Sequence, residues 1–124
     1  MSQDFYDRNG TPTIYTDDNV HLFSFDGRPV GYFHGDALYS YVGQHLGRIA
    51  NGLIRDNHGQ VVFFSSNANG GPMRPMRQLK PLKGLKQLKP LKGLRQLQPL
   101  RPLLNNSWSQ LSGQQFFLGA AASA

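Results

Sequence analysis

The chain has 124 residues, 39% of them hydrophobic, a net charge of +6 and no cysteine. This length allows one small domain, and the composition excludes disulfides, thiolate metal sites and a cysteine nucleophile. The N-terminus "MSQDFYDRNG" lacks a basic segment followed by an apolar one, and no apolar run approaches the roughly eighteen residues of a membrane helix. We therefore expect a cytoplasmic protein that does not contact a membrane.

Charge divides the chain into two parts. All seven acidic residues are aspartates between Asp4 and Asp56, where four arginines oppose them, so this part carries −3. The other nine bases lie between Arg74 and Arg101 with no acid among them, which gives +9. The sequence therefore predicts a mildly acidic head, a basic tract and a C-terminal segment, which we place at residues 1–69, 70–104 and 105–124.

The head contains a fourfold repeat. Gly10, Gly27, Gly43 and Gly59 fall 17, 16 and 16 residues apart in "FYDRNGTPTIY", "LFSFDGRPVGYF", "LYSYVGQHLGRI" and "IRDNHGQVVFF". Short β-branched and aromatic runs bounded by Asp, Asn and Gly are typical of strands. Asp7–Gly10 and Asp56–Gly59 fit turns in which the glycine takes a positive φ. We predict an all-β fold of four short hairpins around a pseudo-fourfold axis, with about eight strands and no helix between residues 5 and 65.

Four hairpins need a common core, because an isolated hairpin is only marginally stable in water. An apolar residue stands five positions before each repeat glycine, and the next position is aromatic in three hairpins and Arg55 in the fourth. We expect the first set to form a central layer with three further apolar residues beside it. The layer is Phe5, Leu22, Leu38 and Ile54, and the neighbours are Val30, Leu46 and Val62.

The tract "PMRPMRQLKPLKGLKQLKPLKGLRQLQPLRPLL", residues 72–104, repeats every three residues. Its prolines exclude a helix interior, and a strand has a period of two. Polyproline II has three residues per turn and predicts an extended rod with three edges. One edge is Met73, Met76, Leu79, Leu82, Leu85, Leu88, Leu91, Leu94, Leu97, Leu100 and Leu103. A second edge is Arg74, Arg77, Lys80, Lys83, Lys86, Lys89, Lys92, Arg95 and Arg101, and the third holds Pro, Gln or Gly.

The rod is too long to lie straight on its own head. At ~3.1 Å per residue it extends ~100 Å, whereas a head of this size has a radius of gyration of ~11 Å. It must therefore wrap around the head, double back at Gly84 or Gly93, or cross other copies. We expect the Met/Leu edge to be covered by the head or by sister subunits and the bases to face solvent.

Aromatic and apolar residues return after the tract. Trp108, Leu111, Phe116, Phe117 and Leu118 are costly to leave exposed, so we expect them to dock on the head or on a neighbour. We expect the final "GAAASA" to be a loose tail.

The order of these elements resembles the bacterial family called the 4-fold beta flower proteins. The resemblance rests on the four hairpin units, "GQHLG", "GLIRDNHGQVVFF", "NANGGPMRPMR", the basic triplets and the closing "SWSQLSGQQFF", from about Phe5 to Phe117. It implies four β-hairpin petals about a pseudo-fourfold axis. It implies no activity and supplies no catalytic residues.

Two functions compete. In the first, the chain is a non-enzymatic structural, assembly or interaction protein that forms a homo-oligomer through the Met/Leu edge, with Trp108, Phe116 and Phe117 as further packing residues. In the second, the nine bases of the tract bind nucleic acid, another polyanion or an acidic protein surface. Such binding would be nonspecific, because the tract has no aromatic residue for base stacking and no groove-reading motif.

The sequence predicts no enzyme, no cofactor and no metal site. It contains no glutamate, no cysteine and no phosphate-binding loop followed by a helix. The four histidines, His21, His34, His45 and His58, are 13, 11 and 13 residues apart and occupy different positions in the repeat. Only His34, which stands two residues before Asp36, suggests a pair.

Overall fold

Eight short strands build the head. The computed structural model describes residues 2–119. The strands are β1 (Gln3–Tyr6), β2 (Pro12–Thr16), β3 (His21–Ser24), β4 (Pro29–His34), β5 (Ala37–Tyr39), β6 (His45–Ala50), β7 (Leu53–Asp56) and β8 (Val61–Ser65), and one helix, α1 (Gly113–Leu118), follows. Each strand pairs antiparallel with the next, and β8 pairs with β1 to close a barrel. The predicted all-β fold of four hairpins is confirmed.

The four hairpins, β1–β2, β3–β4, β5–β6 and β7–β8, share one backbone irregularity. The register shifts in each first strand directly after the predicted core residue, at Phe5/Tyr6, Leu22/Phe23, Leu38/Tyr39 and Ile54/Arg55. A bulge bends its strand and increases the local twist, as a small closed barrel requires. The turns Asp7–Gly10 and Asp56–Gly59 form as predicted, with each glycine amide donating to the aspartate carbonyl and each glycine at positive φ.

The predicted central layer is the core of the barrel. Phe5, Leu22, Leu38 and Ile54 are fully buried and belong to one hydrophobic cluster. Leu46 and Val62 are buried in the same cluster, and Val30 packs against it. The prediction of a shared layer is therefore confirmed, and this layer supplies the burial that single hairpins lack.

Helix α1 fills part of the barrel because two strands carry a glycine on their inner face. A Cβ at Gly47 would overlap the Arg55 carbonyl oxygen and stand 3.2 Å from the Phe116 ring. A Cβ at Gly31 would stand 2.8 Å from the Tyr39 carbonyl oxygen and 3.4 Å from the Phe117 ring. Phe116 is 2% exposed and packs edge-on against Phe63, with ring centroids 5.8 Å apart. Ser112 caps the helix by accepting a hydrogen bond from the Gln115 amide. The two glycines therefore make room for the C-terminal aromatic side chains.

The other C-terminal apolar residues differ in how they pack and in how far they are buried. Trp108 packs on the outside of the barrel next to Phe64, with ring centroids 6.0 Å apart. Leu111 is partly buried against the core cluster. Leu118, the last residue of α1, is 71% exposed, so its predicted docking on the head is wrong, whereas docking on a neighbour stays a prediction. Most of the predicted tail, residues 120–124, lies outside the described residues.

Residues 72–104, which we call the belt, are extended and contain no helix or strand. The belt follows β8 in the chain and hydrogen-bonds to the turns of the first three hairpins in chain order, and Asn105, directly after the belt, hydrogen-bonds to the fourth turn. It then returns to β8, where Trp108 forms a parallel bridge with Val61. Of the three predicted paths, the belt therefore wraps around the head. Within residues 2–119, no helix is long and apolar enough to cross a membrane.

Candidate interaction surface

Two sets of backbone hydrogen bonds, each with a spacing of nine residues, attach the belt and the following Asn105 to the head. The amides of Gln78, Gln87 and Gln96 each donate to a repeat-glycine carbonyl over 2.8 Å, and Asn105 does so over 3.2 Å. The acceptors are Gly10, Gly27, Gly43 and Gly59, respectively. Gly84 and Gly93, also nine residues apart, donate to the carbonyls of Phe25 and Tyr41 over 2.7 Å each. Three triplets of the belt thus span one hairpin of the head.

The repeat glycines have a second role in this attachment. All four have a positive φ, which a residue with a Cβ rarely adopts. A Cβ on any of them would also overlap a carbonyl oxygen of the belt, which belongs to Met76, Leu85, Leu94 and Leu103 in turn. These four belt residues are again nine apart. The glycines therefore allow both the turn and the close approach of the belt.

The basic edge of the belt faces the head. Lys83 Nζ lies 4.1 Å from the centroid of the Tyr15 ring, and Lys92 Nζ lies 4.5 Å from that of Tyr32. Arg77, Lys86 and Arg95 lie over Tyr6, Phe23 and Tyr39 at 5.7, 5.1 and 6.0 Å. The predicted solvent exposure of the bases is correct only in part. The bases of the belt other than Arg74 remain exposed, but they lie against the head, because the outer face of the barrel presents aromatic rings that attract cations.

Ion pairs reinforce these contacts. The distances from nitrogen to carboxylate oxygen are 2.8 Å for Lys80–Asp4, 2.6 Å for Lys86–Asp17 and 2.8 Å for Arg101–Asp36. The hydrogen bond from Lys86 lowers the pKa of Asp17, and the bond from Arg101 lowers the pKa of Asp36. The acidic head and the basic tract thus attract each other directly through these ion pairs.

The Met/Leu edge points away from the head. Its eleven side chains, from Met73 to Leu103, are 90–97% exposed. The prediction that this edge packs on the head is wrong, because the basic edge already covers the outer rings and a rod with three edges cannot turn both of these edges to one surface. Its packing on a sister subunit stays a prediction.

Sequence reasoning missed the residues that hold the belt in register. The period of three hides a period of nine, which is visible in "PMRQLKPLK", "GLKQLKPLK" and "GLRQLQPLR" from Pro75 to Arg101. The glutamine at the fourth position of each nine-residue unit is the residue whose backbone amide bonds to the head. His45 was also missed as part of this contact: its amide donates to the Gln96 side-chain carbonyl over 3.0 Å. Comparing the nine-residue spacing of the belt with the four hairpins would have revealed that three triplets of the belt correspond to one hairpin of the head.

The histidines do not converge. His21 Nδ1 lies 2.7 Å from Asp18 Oδ2, whereas Asp36 pairs with Arg101 rather than with His34. His45 is 4% exposed and packs edge-on against Tyr39, and burial lowers its pKa. Among residues 2–119, no group of three or more metal-ligating side chains comes together.

The fold and the belt agree with the comparison with known families. The family model described as the 4-fold beta flower protein matches residues 3–117. The chain belongs to this family. The description of the 4-fold beta flower family names a fold and no activity, so membership assigns no catalytic residue. Searches of curated proteins and of solved structures give no match to this chain.

Proposed function

We propose that this 4-fold beta flower protein is a non-enzymatic assembly protein that binds other copies of itself through the Met/Leu edge of its belt. The observation behind the proposal is the near-complete exposure of eleven apolar side chains in one continuous row. Exposed apolar residues are ordinary when scattered, but a continuous row marks an interaction surface. Burying a leucine contributes ~1.5–3 kcal/mol, so association of even part of the row is favourable.

The spacing of the row supports a second copy as the partner. Successive leucines on one edge of a polyproline II rod are ~9.3 Å apart. A facing row with the same spacing can place its side chains in these gaps, as knobs enter holes between helices. The row is therefore complementary to itself, as a symmetric interface between identical subunits requires.

The same contacts weigh against the polyanion alternative. Eight of the nine bases of the belt contact a ring, a carboxylate or a backbone carbonyl of the chain, and Lys89 is the one without such a contact in the described part of the chain. A polyanion would have to displace these contacts before it could bind the basic edge. The cytoplasm remains our proposed compartment for the assembly.

The test replaces four adjacent members of the row, Leu82, Leu85, Leu88 and Leu91, by serine. We expect the parent to have a molar mass that is a multiple of 13.8 kDa by light scattering and the variant to have the mass of one chain. The melting temperature of the parent should rise with protein concentration, whereas that of the variant should not, because only the parent couples folding to association.

The control is the double variant Lys89→Ser and Gln98→Ser, which alters the belt outside the Met/Leu edge and should keep the mass of the parent. Equal molar masses for the parent and the leucine variant would contradict the proposal. A parent that is monomeric but binds neutral lipid vesicles would assign the row to a membrane surface. Salt-sensitive binding of DNA by both the parent and the leucine variant would favour the basic edge instead.

A further inference from the structure

The outer face of the barrel repeats an aromatic pair at three of its four seams. We use "seam" for the pairing of two strands from different hairpins: β2–β3, β4–β5, β6–β7 and β8–β1. Stacked pairs occupy three seams, with ring centroids 5.6–6.0 Å apart and interplanar angles of 24–29°. They are Tyr15–Phe23, Tyr32–Tyr39 and Phe64–Tyr6.

The fourth seam breaks this pattern with two arginines. In the register of β6 and β7, Arg48 stands directly opposite Arg55, where the other seams have their rings. Like charges directly opposite each other on a sheet are destabilising. The Nε atoms of both residues are buried and have no hydrogen-bond partner within residues 2–119, although Nη2 of Arg48 donates to the Pro99 carbonyl over 2.7 Å. Arg55 is only 9% exposed, and burial lowers its pKa. A buried guanidinium without a counter-charge is costly, so an anion here would be stabilising.

The belt changes its sequence at the same seam. Lys86 and Arg95 lie over Phe23 and Tyr39, but the belt residue nine positions after Arg95 is Leu104. Leu104 and Arg55 line the same cavity. The basic edge thus has an apolar residue at the position next to Arg55, whereas Arg101 keeps the other cation of this seam and pairs with Asp36. The change from a ring to Arg55 in the head therefore coincides with the change from a base to Leu104 after Arg95.

A cavity of about 140 Å³ lies between this seam and the belt. Arg48, Arg55 and Arg101 contribute three cations to its lining, and Asp36 and Asp56 contribute two carboxylates. Asp36 is paired with Arg101 at 2.8 Å. The carboxylate of Asp56 accepts hydrogen bonds from the His58 and Gln60 amides and from Ser109 Oγ. Both aspartates therefore have other partners, whereas Arg55 has no ion-pair partner in the described part of the chain. A volume several times that of a water molecule, about 30 Å³, has room for a small oxyanion.

We propose that this cavity binds a small oxyanion, the carboxylate or phosphate group of a ligand, between the guanidinium groups of Arg48 and Arg55. The planar guanidinium offers paired N–H donors that match both groups. The site lies under the belt and does not include the Met/Leu edge, so it is independent of the proposed self-association. The anion would hold the fourth seam together as ring stacking holds the other three.

Melting of the full chain in phosphate, in acetate and in chloride at equal ionic strength tests the site. We expect the melting temperature of the parent to rise with phosphate or acetate concentration and to saturate, and the more effective anion identifies the preferred group. Arg55→Gln removes one charged donor set and should weaken the apparent affinity at least about tenfold. Without oxyanion, Arg55→Gln should melt above the parent, because it removes the like-charge contact.

Two further variants separate binding from general effects. Arg28→Gln removes an exposed arginine that does not line the cavity and should keep the full response, which corrects for the general stabilisation by phosphate. The double variant Arg48→Tyr and Arg55→Tyr restores the ring pair of the other seams, so it should fold and show no saturable response. If the parent, Arg55→Gln and the double tyrosine variant respond equally to both oxyanions, the site does not exist.

Discussion

In the barrel the leucines of the central layer are fully enclosed, whereas the more numerous leucines of the belt are almost fully exposed. The head is held together by apolar burial, and the belt is held to the head by backbone hydrogen bonds, cations over rings and ion pairs. The two regions thus use hydrophobic residues for different purposes. A regular apolar row indicates that something will cover it, but the covering surface need not belong to the same chain.

Truncating one leucine in each region gives the largest contrast. Leu22→Ala leaves a cavity in the central layer and should lower the free energy of unfolding by ~2–5 kcal/mol. Leu88→Ala removes a side chain that is 95% exposed and should leave the unfolding of the monomer nearly unchanged. Urea unfolding at low protein concentration measures both. Equal losses for the two variants would show that the belt leucines are buried within the monomer.

A smaller contrast separates the two roles of the repeat glycines. Gly27→Ala brings the strain of a positive φ and a collision with the Leu85 carbonyl, whereas Gly35→Ala brings only the strain, because nothing lies within 4 Å of its Cβ. The strain alone costs ~1–2 kcal/mol. Gly27→Ala should cost more than Gly35→Ala and should also speed hydrogen exchange of the Gln87 amide, which donates to Gly27. Unchanged exchange at Gln87 would mean that the belt does not depend on this turn.

The smallest effect concerns the ion pairs between the belt and the head. Lys86→Gln removes the nearer of the two lysine partners of Asp17, since Lys83 lies 3.9 Å away, and should cost ~0.2–1 kcal/mol at pH 7, whereas Lys89→Gln should cost nothing measurable. Because Asp17 has a folded-state pKa below the ordinary 3.8, its pair contributes fully above that value and is lost as the pH falls through 3.8 and below. The difference between parent and Lys86→Gln should therefore shrink as the pH falls below 3.8, through the lowered pKa of Asp17. A difference that persists at the lower pH would point to the Phe23 ring as the main partner of Lys86.

Much of the fold was predictable because it depends on local patterns. The spacing of the repeat glycines predicted the hairpins, and the apolar position before each one predicted the layer of Phe5, Leu22, Leu38 and Ile54. The position of helix α1 inside the barrel was harder to predict from the sequence. Gly31 and Gly47 occupy the repeat position that Ile14 and Phe63 fill in the other hairpins, but only the barrel shows that the rings of α1 take this space.

The sequence by itself determined that the belt has three edges, since a period of three in a proline-rich segment permits no other regular arrangement. It could not determine which edge faces the head, because that choice depends on what the outer face of the barrel presents. The closed barrel aligns Tyr15 with Phe23 and Tyr32 with Tyr39, and these rings draw the cations inward and leave the leucines outside. The pairing of Arg48 with Arg55 was likewise not predictable from the sequence alone. Arg55 already stood out as the exception to the aromatic position, but only the register of β6 and β7 placed it opposite Arg48 and so created a charged cavity.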